Sequence, residues 1–195
     1  MTTLHRPVPS VTDVHVEDEI VTSGPARMAL AALRIGFGLT FLWAFFDKLL
    51  ALGYHTGYNQ EGVLDRFGDA AWINGGSPTE GFLTFGVNPD SPFASFYNNL
   101  AGYAIVDWLF MLGLLGIGLT LTLGVGMRIG AISGFVMYLF MYGAVMVPEN
   151  NPVFDDHLIG AIAMTVLFFT LAGDTWGFGK AWAKTHLVRK YAALR

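Results

Sequence analysis

Residues 103–125 read YAIVDWLFMLGLLGIGLTLTLGV, a run of 23 residues in which Asp107 is the single charged side chain. The hydrocarbon layer of a bilayer takes about 20 apolar residues of helix, so this stretch is long enough to cross one. Working outward, three more apolar runs cover 26–51, 129–147 and 157–176. The pattern predicts an all-α protein, a four-transmembrane-helix bundle. The last two runs are the shortest, which calls for tilt or local thinning of the bilayer.

Composition agrees. Of 195 residues, 53% are hydrophobic and only 13% charged, where a soluble domain has about 25% charged. Basic residues are few and form no stripe interleaved with aromatics, which excludes a nucleic-acid surface. Cysteine does not occur. Disulfides, iron–sulfur clusters and thiolate metal sites are therefore excluded within this chain. Residues 1–25 include Asp13, Glu17, Asp18 and Glu19 and have no basic segment leading into an apolar core. They read as a surface-lying or disordered N-terminal tail rather than a signal peptide.

The connections differ. A tight hairpin, Gly124–Arg128, joins the second and third runs, and Pro148–Asp156 joins the third and fourth. The first and second are separated by a loop over 52–102, rich in glycine and containing Pro78, Pro89 and Pro92. A loop this long usually has a function or elements of its own. Short helices are expected over 63–67, 78–85 and 92–100, with their phenylalanines at the membrane interface.

Lysine and arginine placement sets the orientation. Arg6, Arg27, Arg128, Lys180, Lys184, Arg189, Lys190 and Arg195 collect on one side, while the 52–102 loop has Arg66 alone against Glu61, Asp65, Asp69, Glu80 and Asp90. Both termini, including the basic tail over 179–195, are expected in the cytoplasm and the long loop outside. The membrane domain spans 26–178. Gly126, Gly130 and Gly134, with Gly113, Gly116 and Gly118, read as close-packing positions between helices.

Ionisable side chains inside spans are the candidates for function. Arg34 lies about 12 Å into the first helix at 1.5 Å per residue. Its candidate partners are Asp174, Ser133, Thr120 and Thr122. It serves either as a buried structural link or as a group that binds an anion or a quinone carbonyl. At the other end, depth matching sets Lys48, Asp107, Asp155, Asp156, His157, Tyr142, Trp43 and Trp108 at one level. A histidine beside a carboxylate exchanges protons near neutral pH, Lys48 polarises a carbonyl or attracts an anion, and aromatics line a quinone slot. The competing reading makes Asp155 or Asp156 the N-cap of the fourth helix, and interfacial aromatics are common in any case. Only His157 among the histidines is near a span, which argues against haem ligation, and no zinc motif, P-loop or dinucleotide fingerprint occurs.

Four spans, Leu33-Arg34-Ile35-Gly36 early in the first helix, and Trp43 with Asp47-Lys48-Leu49 at its end resemble the DoxX/DoxD family of prokaryotic membrane proteins. The loop over 71–83, AWINGGSPTEGFL, the pair Asp107-Trp108, and the segment 150–157, NNPVFDDH, resemble its DoxD-like branch. The resemblance covers roughly residues 26–180. It implies a protein of the prokaryotic cytoplasmic membrane, a membrane subunit of thiosulfate:quinone oxidoreductase with quinone as electron acceptor and a second, smaller subunit or another copy as partner. It transfers no catalytic residue set. The candidate catalytic residues His157, Asp156, Asp155, Lys48 and Asp107, and the candidate quinone-binding residues Trp43, Tyr142, Trp108 and Arg34, rest on the depth argument; no metal is expected. The alternative function is a non-catalytic anchor or accessory subunit of a redox complex. A solute carrier is the weaker alternative, lacking an inverted repeat.

Overall fold

The structure, a computed structural model, describes residues 16–58, 61–148 and 151–195. Arg6, Asp13, His5, His15 and Asn150 lie outside the described residues. Among the described residues the protein is all-helical, without strands. Three helices are long and apolar enough to cross a membrane: α2 (Gly24–Leu50), α4 (Ala104–Leu123) and α5 (Met127–Val145). A short α1 (Glu17–Ile20) precedes them, and α3 (Ala94–Asn98) lies in the long loop. A shorter apolar helix, α6 (Asp156–Thr170), follows, and α7 (Gly179–Ala183) and α8 (His186–Lys190) end the described order with one further turn.

Helix α2 packs on α4, α4 on α5, and α5 on α6. Phe41 and Phe45 of α2, Met111, Leu114, Ile117 and Leu121 of α4, Met127 of α5, and Met164 and Leu167 of α6 form one buried core. The outward faces remain apolar: Leu39 is 54% exposed, Leu109 65%, Val136 58% and Phe169 66%. In water such faces are unfavourable, and in lipid they are not. Between helices in lipid the driving force is van der Waals packing rather than burial from water, so close approach matters. Glycines supply it. A Cβ at Gly38 would stand 2.6 Å from the Thr122 backbone nitrogen, and one at Gly118 2.7 Å from Leu42. Gly130 abuts Thr120, and Gly134 abuts Met164 and Ile117. Of the expected small-residue positions, Gly113, Gly118, Gly130 and Gly134 are thus used inside the molecule, while Gly116 has open space beside it and Gly126 only an ordinary contact.

Helix α6 ends earlier than the apolar run predicts. Leu171 adopts a left-handed conformation at φ 49°, and the chain then turns through Gly173 and Gly177. A Cβ at Gly173 would fall 2.4 Å from the Gly124 carbonyl oxygen, so this turn nests on the end of α4. The carbonyls of Thr175 and Trp176 are then taken by a side chain from α2 rather than by helix continuation.

Glu17 of α1 and the basic tail are held in place. Glu17 is buried, its backbone N–H donates to Asp174 at 3.0 Å, and its Oε2 accepts from the Thr175 amide at 2.9 Å. Arg195 is buried against Asp174 at 2.5 Å, and its carbonyl accepts from the Met127 amide. The Trp182 indole donates to the Leu194 carbonyl at 2.7 Å. These bonds fold residues 179–195 against the start of α5 and the turn after α6.

The loop between α2 and α4 also differs from expectation. Residues 63–67 are not helical: Leu64 makes an isolated bridge with Tyr58, and Phe67 has φ 61°. The reason is the open end of α2. A helix leaves its last carbonyls without partners, and here the Phe67 amide donates to Leu50 and Ala51 while Arg66 Nε donates to Leu52 at 3.0 Å. Helical turns do form at 72–74, at 82–86 and in α3.

Candidate functional site

Each ionisable residue singled out near the C-terminal end of α2 has its own neighbourhood. Asp47 is buried and uses both carboxylate oxygens, accepting from the Tyr54 amide at 3.1 Å and the His55 amide at 3.0 Å. It folds the start of the loop back over α2. Asp107, 7% exposed, accepts through Oδ1 from the Ser77 hydroxyl at 2.8 Å, the Thr79 hydroxyl at 2.6 Å and the Thr79 amide at 3.2 Å. It anchors the middle of the loop to the first turn of α4. Lys48 places Nζ 6.0 Å from the Phe110 ring centre, a cation–π distance.

The aromatics follow the same partition. Trp43 is half exposed and packs edge-on against Tyr54 at 4.9 Å, one turn from Asp47. Trp108 packs on Trp72 at 4.7 Å beside Asp107. Tyr142 donates its hydroxyl to the Val153 carbonyl at 2.6 Å and so ties the end of α5 to the segment before α6.

The Asp155-Asp156-His157 corner divides its labour. Asp155 is the N-cap of α6, accepting from the Leu158 amide at 2.9 Å through Oδ1. Its other oxygen, Oδ2, lies 2.5 Å from His157 Nδ1. One carboxylate therefore does both jobs, cap and imidazole partner. Partial burial pulls the Asp155 carboxyl up, but the Leu158 amide and the His157 imidazole outweigh it and hold the group below the ordinary aspartate value. Asp156 stands exposed in the first turn of α6, where a negative charge is favoured by the helix dipole.

Beyond His157 stands Tyr138, which sequence reasoning did not single out. Its ring lies 6.5 Å from the imidazole, and 6.0 Å and 5.4 Å from Phe37 and Phe41 of α2. Gly160 makes room for it, since a Cβ there would fall 2.7 Å from the ring. Tyr138 sits one turn before Tyr142 on the same face of α5, and that spacing is the signal that marks it. The imidazole fixed by Asp155 thus stands edge-on to a partly buried phenol ring, with the exposed Asp156 carboxylate next to it in sequence.

Arg34 belongs to the opposite end. It is wholly buried and donates to four backbone carbonyls: Leu121, Thr122 at 3.0 Å, Thr175 at 3.2 Å and Trp176 at 3.1 Å. The sequence offered Asp174 and three hydroxyl side chains as partners. Asp174 is taken instead by Arg195 and the Glu17 amide. A planar guanidinium with five donors suits helix-end carbonyls, which also form the negative pole of the helix dipole.

A groove of about 170 Å³ runs between α5 and α6, lined by Ala131, Ile132, Phe135, Met164, Thr165 and Phe168. Its lining is apolar apart from Thr165, whose hydroxyl is turned back onto the Ala161 carbonyl at 3.0 Å. No protein-family model, curated protein or solved structure matches this chain.

Proposed function

We propose that α2, α4, α5 and α6 form a four-span bundle in a prokaryotic cytoplasmic membrane, with both termini cytoplasmic, and that the chain is a quinone-linked oxidoreductase subunit of the DoxX/DoxD type. The observation that carries this reading is the 2.5 Å contact between Asp155 and His157 beside Tyr138. Quinone reduction needs a proton delivered to each carbonyl oxygen as electrons arrive. A histidine held by a carboxylate is suited to that exchange near neutral pH. Thiosulfate is the proposed electron donor, and Lys48 the cation that meets it. The net acidic loop works against approach of an anionic donor, so the donor route has to be local.

The test uses the purified chain in lipid nanodiscs with thiosulfate and a short-chain quinone analogue. Reduction is expected for the native chain, with a loss of turnover in His157→Ala and a raised KM for thiosulfate in Lys48→Ala. Absence of turnover in the native chain, alone and with co-purified partners, overturns the enzymatic reading. A second reading, an accessory subunit, is favoured by one specific observation. Arg34 and Asp47 are satisfied by backbone groups of this chain, and Asp107 by the Ser77 and Thr79 hydroxyls and the Thr79 amide, a structural use of buried charge. It predicts co-purification with a redox complex and no turnover by the chain itself.

A further inference from the structure

The stretch from Phe82 to Tyr103 has one charged residue, Asp90, whereas 61–80 holds Glu61, Asp65, Arg66, Asp69 and Glu80. The loop is therefore two halves of different character. In the weakly charged half the phenylalanines face outward: Phe85 is 88% exposed, Phe93 49% and Phe96 53%. Leu83, Val87 and Tyr97 face the other way and close a second small core with Ala144 of α5.

Helix α5 serves as a depth ruler. It has 19 residues, roughly 28 Å at 1.5 Å per residue, and a hydrocarbon layer is about 30 Å thick. A crossing therefore uses its whole length. The loop meets this ruler at successive rungs. The Asn88 amide donates to the Ala144 carbonyl at 3.0 Å, and the Ser91 hydroxyl to Gly143 at 2.8 Å. The Tyr97 hydroxyl reaches the Phe140 carbonyl at 2.6 Å, and the rings of Phe96 and Tyr97 lie 6.1 Å and 4.8 Å from the Phe140 ring. From the Asn88 amide to the Tyr97 hydroxyl the contacts move one helical turn along α5, the tyrosine side chain reaching a rung about 7 Å inside its end. Phe140 is itself 42% exposed, on the apolar surface that includes Val136 and Leu139. The outer face of α3 continues that surface.

We infer that residues 82–98 form a wedge embedded in one leaflet of the bilayer, with Phe85, Phe93 and Phe96 among the acyl chains beside α5. The inference rests on the three apolar spans and not on the redox reading. Backbone groups at membrane depth need partners, and several in and just after this segment have them. The Ala94 amide donates to Ser91, Tyr97 to Phe93, Asn99 to Ser95 and Leu100 to Tyr97, while the Phe93 amide uses the Ser91 hydroxyl at 3.2 Å. Phenylalanine on an interfacial element is the residue type that such insertion favours.

The native chain has no cysteine, so single-site spin labels need no background removal. Phe85→Cys and Phe96→Cys are labelled in phosphatidylcholine vesicles, with Val136→Cys as the lipid-facing control and Asp65→Cys as the aqueous one. Power saturation is measured with oxygen and with a water-soluble nickel chelate. Both loop sites are expected to match Val136, with high oxygen collision and loss of nickel collision. Nickel collision matching Asp65 overturns the inference. Shielding from both agents also overturns it, since it means that protein rather than lipid covers the face. The unsubstituted chain gives an independent readout through photocrosslinking by a phospholipid with a diazirine in its acyl chain. Adducts on the 82–98 peptide are expected, and adducts confined to the spans overturn the inference.

Discussion

Nη2 of Arg34 donates to the carbonyl of Trp176 at 3.1 Å, joining the middle of α2 to the turn that follows α6. Nη1 meanwhile holds the Thr122 carbonyl at 3.0 Å, so one guanidinium binds the ends of two further segments. Arg34→Met removes donors from buried carbonyls, each worth about 1–3 kcal/mol when left unpaired. A loss of at least ~3 kcal/mol is expected on that basis, read as a large drop in melting temperature in detergent by tryptophan fluorescence. Arg34→Lys keeps the charge but not the planar fork, and its melting point falls between the two. A melting temperature for Arg34→Met equal to that of the native chain refutes this role.

Asp107 pins the loop at Ser77 and Thr79. Asp107→Ala leaves the Thr79 amide and hydroxyl without their acceptor, at a cost of about 1–3 kcal/mol. The cost is local, so the expected outcome is faster proteolysis between residues 61 and 80 with the spans intact. Asp107→Asn keeps an acceptor and is expected to stay close to native. Equal cleavage rates for all three proteins would sink the assignment.

Glu17 offers a pH test at the opposite end. Its burial is the main influence and raises its pKa, opposed by the hydrogen bond from Thr175. A carboxyl whose folded pKa is raised stabilises the folded state most below its unfolded value, about 4.3 for glutamate. That contribution is lost as pH rises through the raised pKa. Docking of α1 is therefore tightest in acid and loosens toward neutrality. Hydrogen exchange at the Glu17 and Thr175 amides, corrected for intrinsic rates, is expected to speed up across that window. Glu17→Gln removes the pH dependence.

At the candidate site, cap and proton transfer separate by mutation. Asp155→Ala loses the N-cap, about 1 kcal/mol, and also the imidazole partner. His157→Ala keeps the cap, so its melting temperature stays near native while, under the proposed function, quinone reduction falls. The depressed Asp155 pKa adds a sign. Its contribution to stability is full above the ordinary aspartate value and is lost as pH falls through the lower folded value. Asp155→Asn is expected to flatten the acid limb of the melting-temperature profile.

The apolar runs made α2, α4 and α5 legible, because length and composition alone decide whether a helix can cross a bilayer. Leu171 shows where this fails: the apolar run continues past Thr170, and only Gly173-Asp174 marks the turn, which is held by nesting against Gly124 and by Arg34. Counting residues along each helix set Lys48, Asp107 and His157 at one level but gave no azimuth, and so no indication of their separate partners. Asp155 as a cap and Asp155 as a partner for His157 were set against each other in the sequence. The two oxygens of one carboxylate let both hold. Tyr138 looks like packing in an apolar run; its one-turn spacing from Tyr142 was the available signal, and Gly160 leaves the room its ring occupies near the imidazole.

Arg34 and Asp47 bind main-chain atoms, carbonyls in one case and amides in the other. Every amino acid has that carbonyl, and all but proline have that amide. Natural variation at positions 54, 55, 121, 122, 175 and 176 therefore leaves these tethers intact, while positions 34 and 47 have no freedom. A saturation mutagenesis map of this protein would contain solitary intolerant charges without covarying partners, the reverse of what a side-chain ion pair leaves behind.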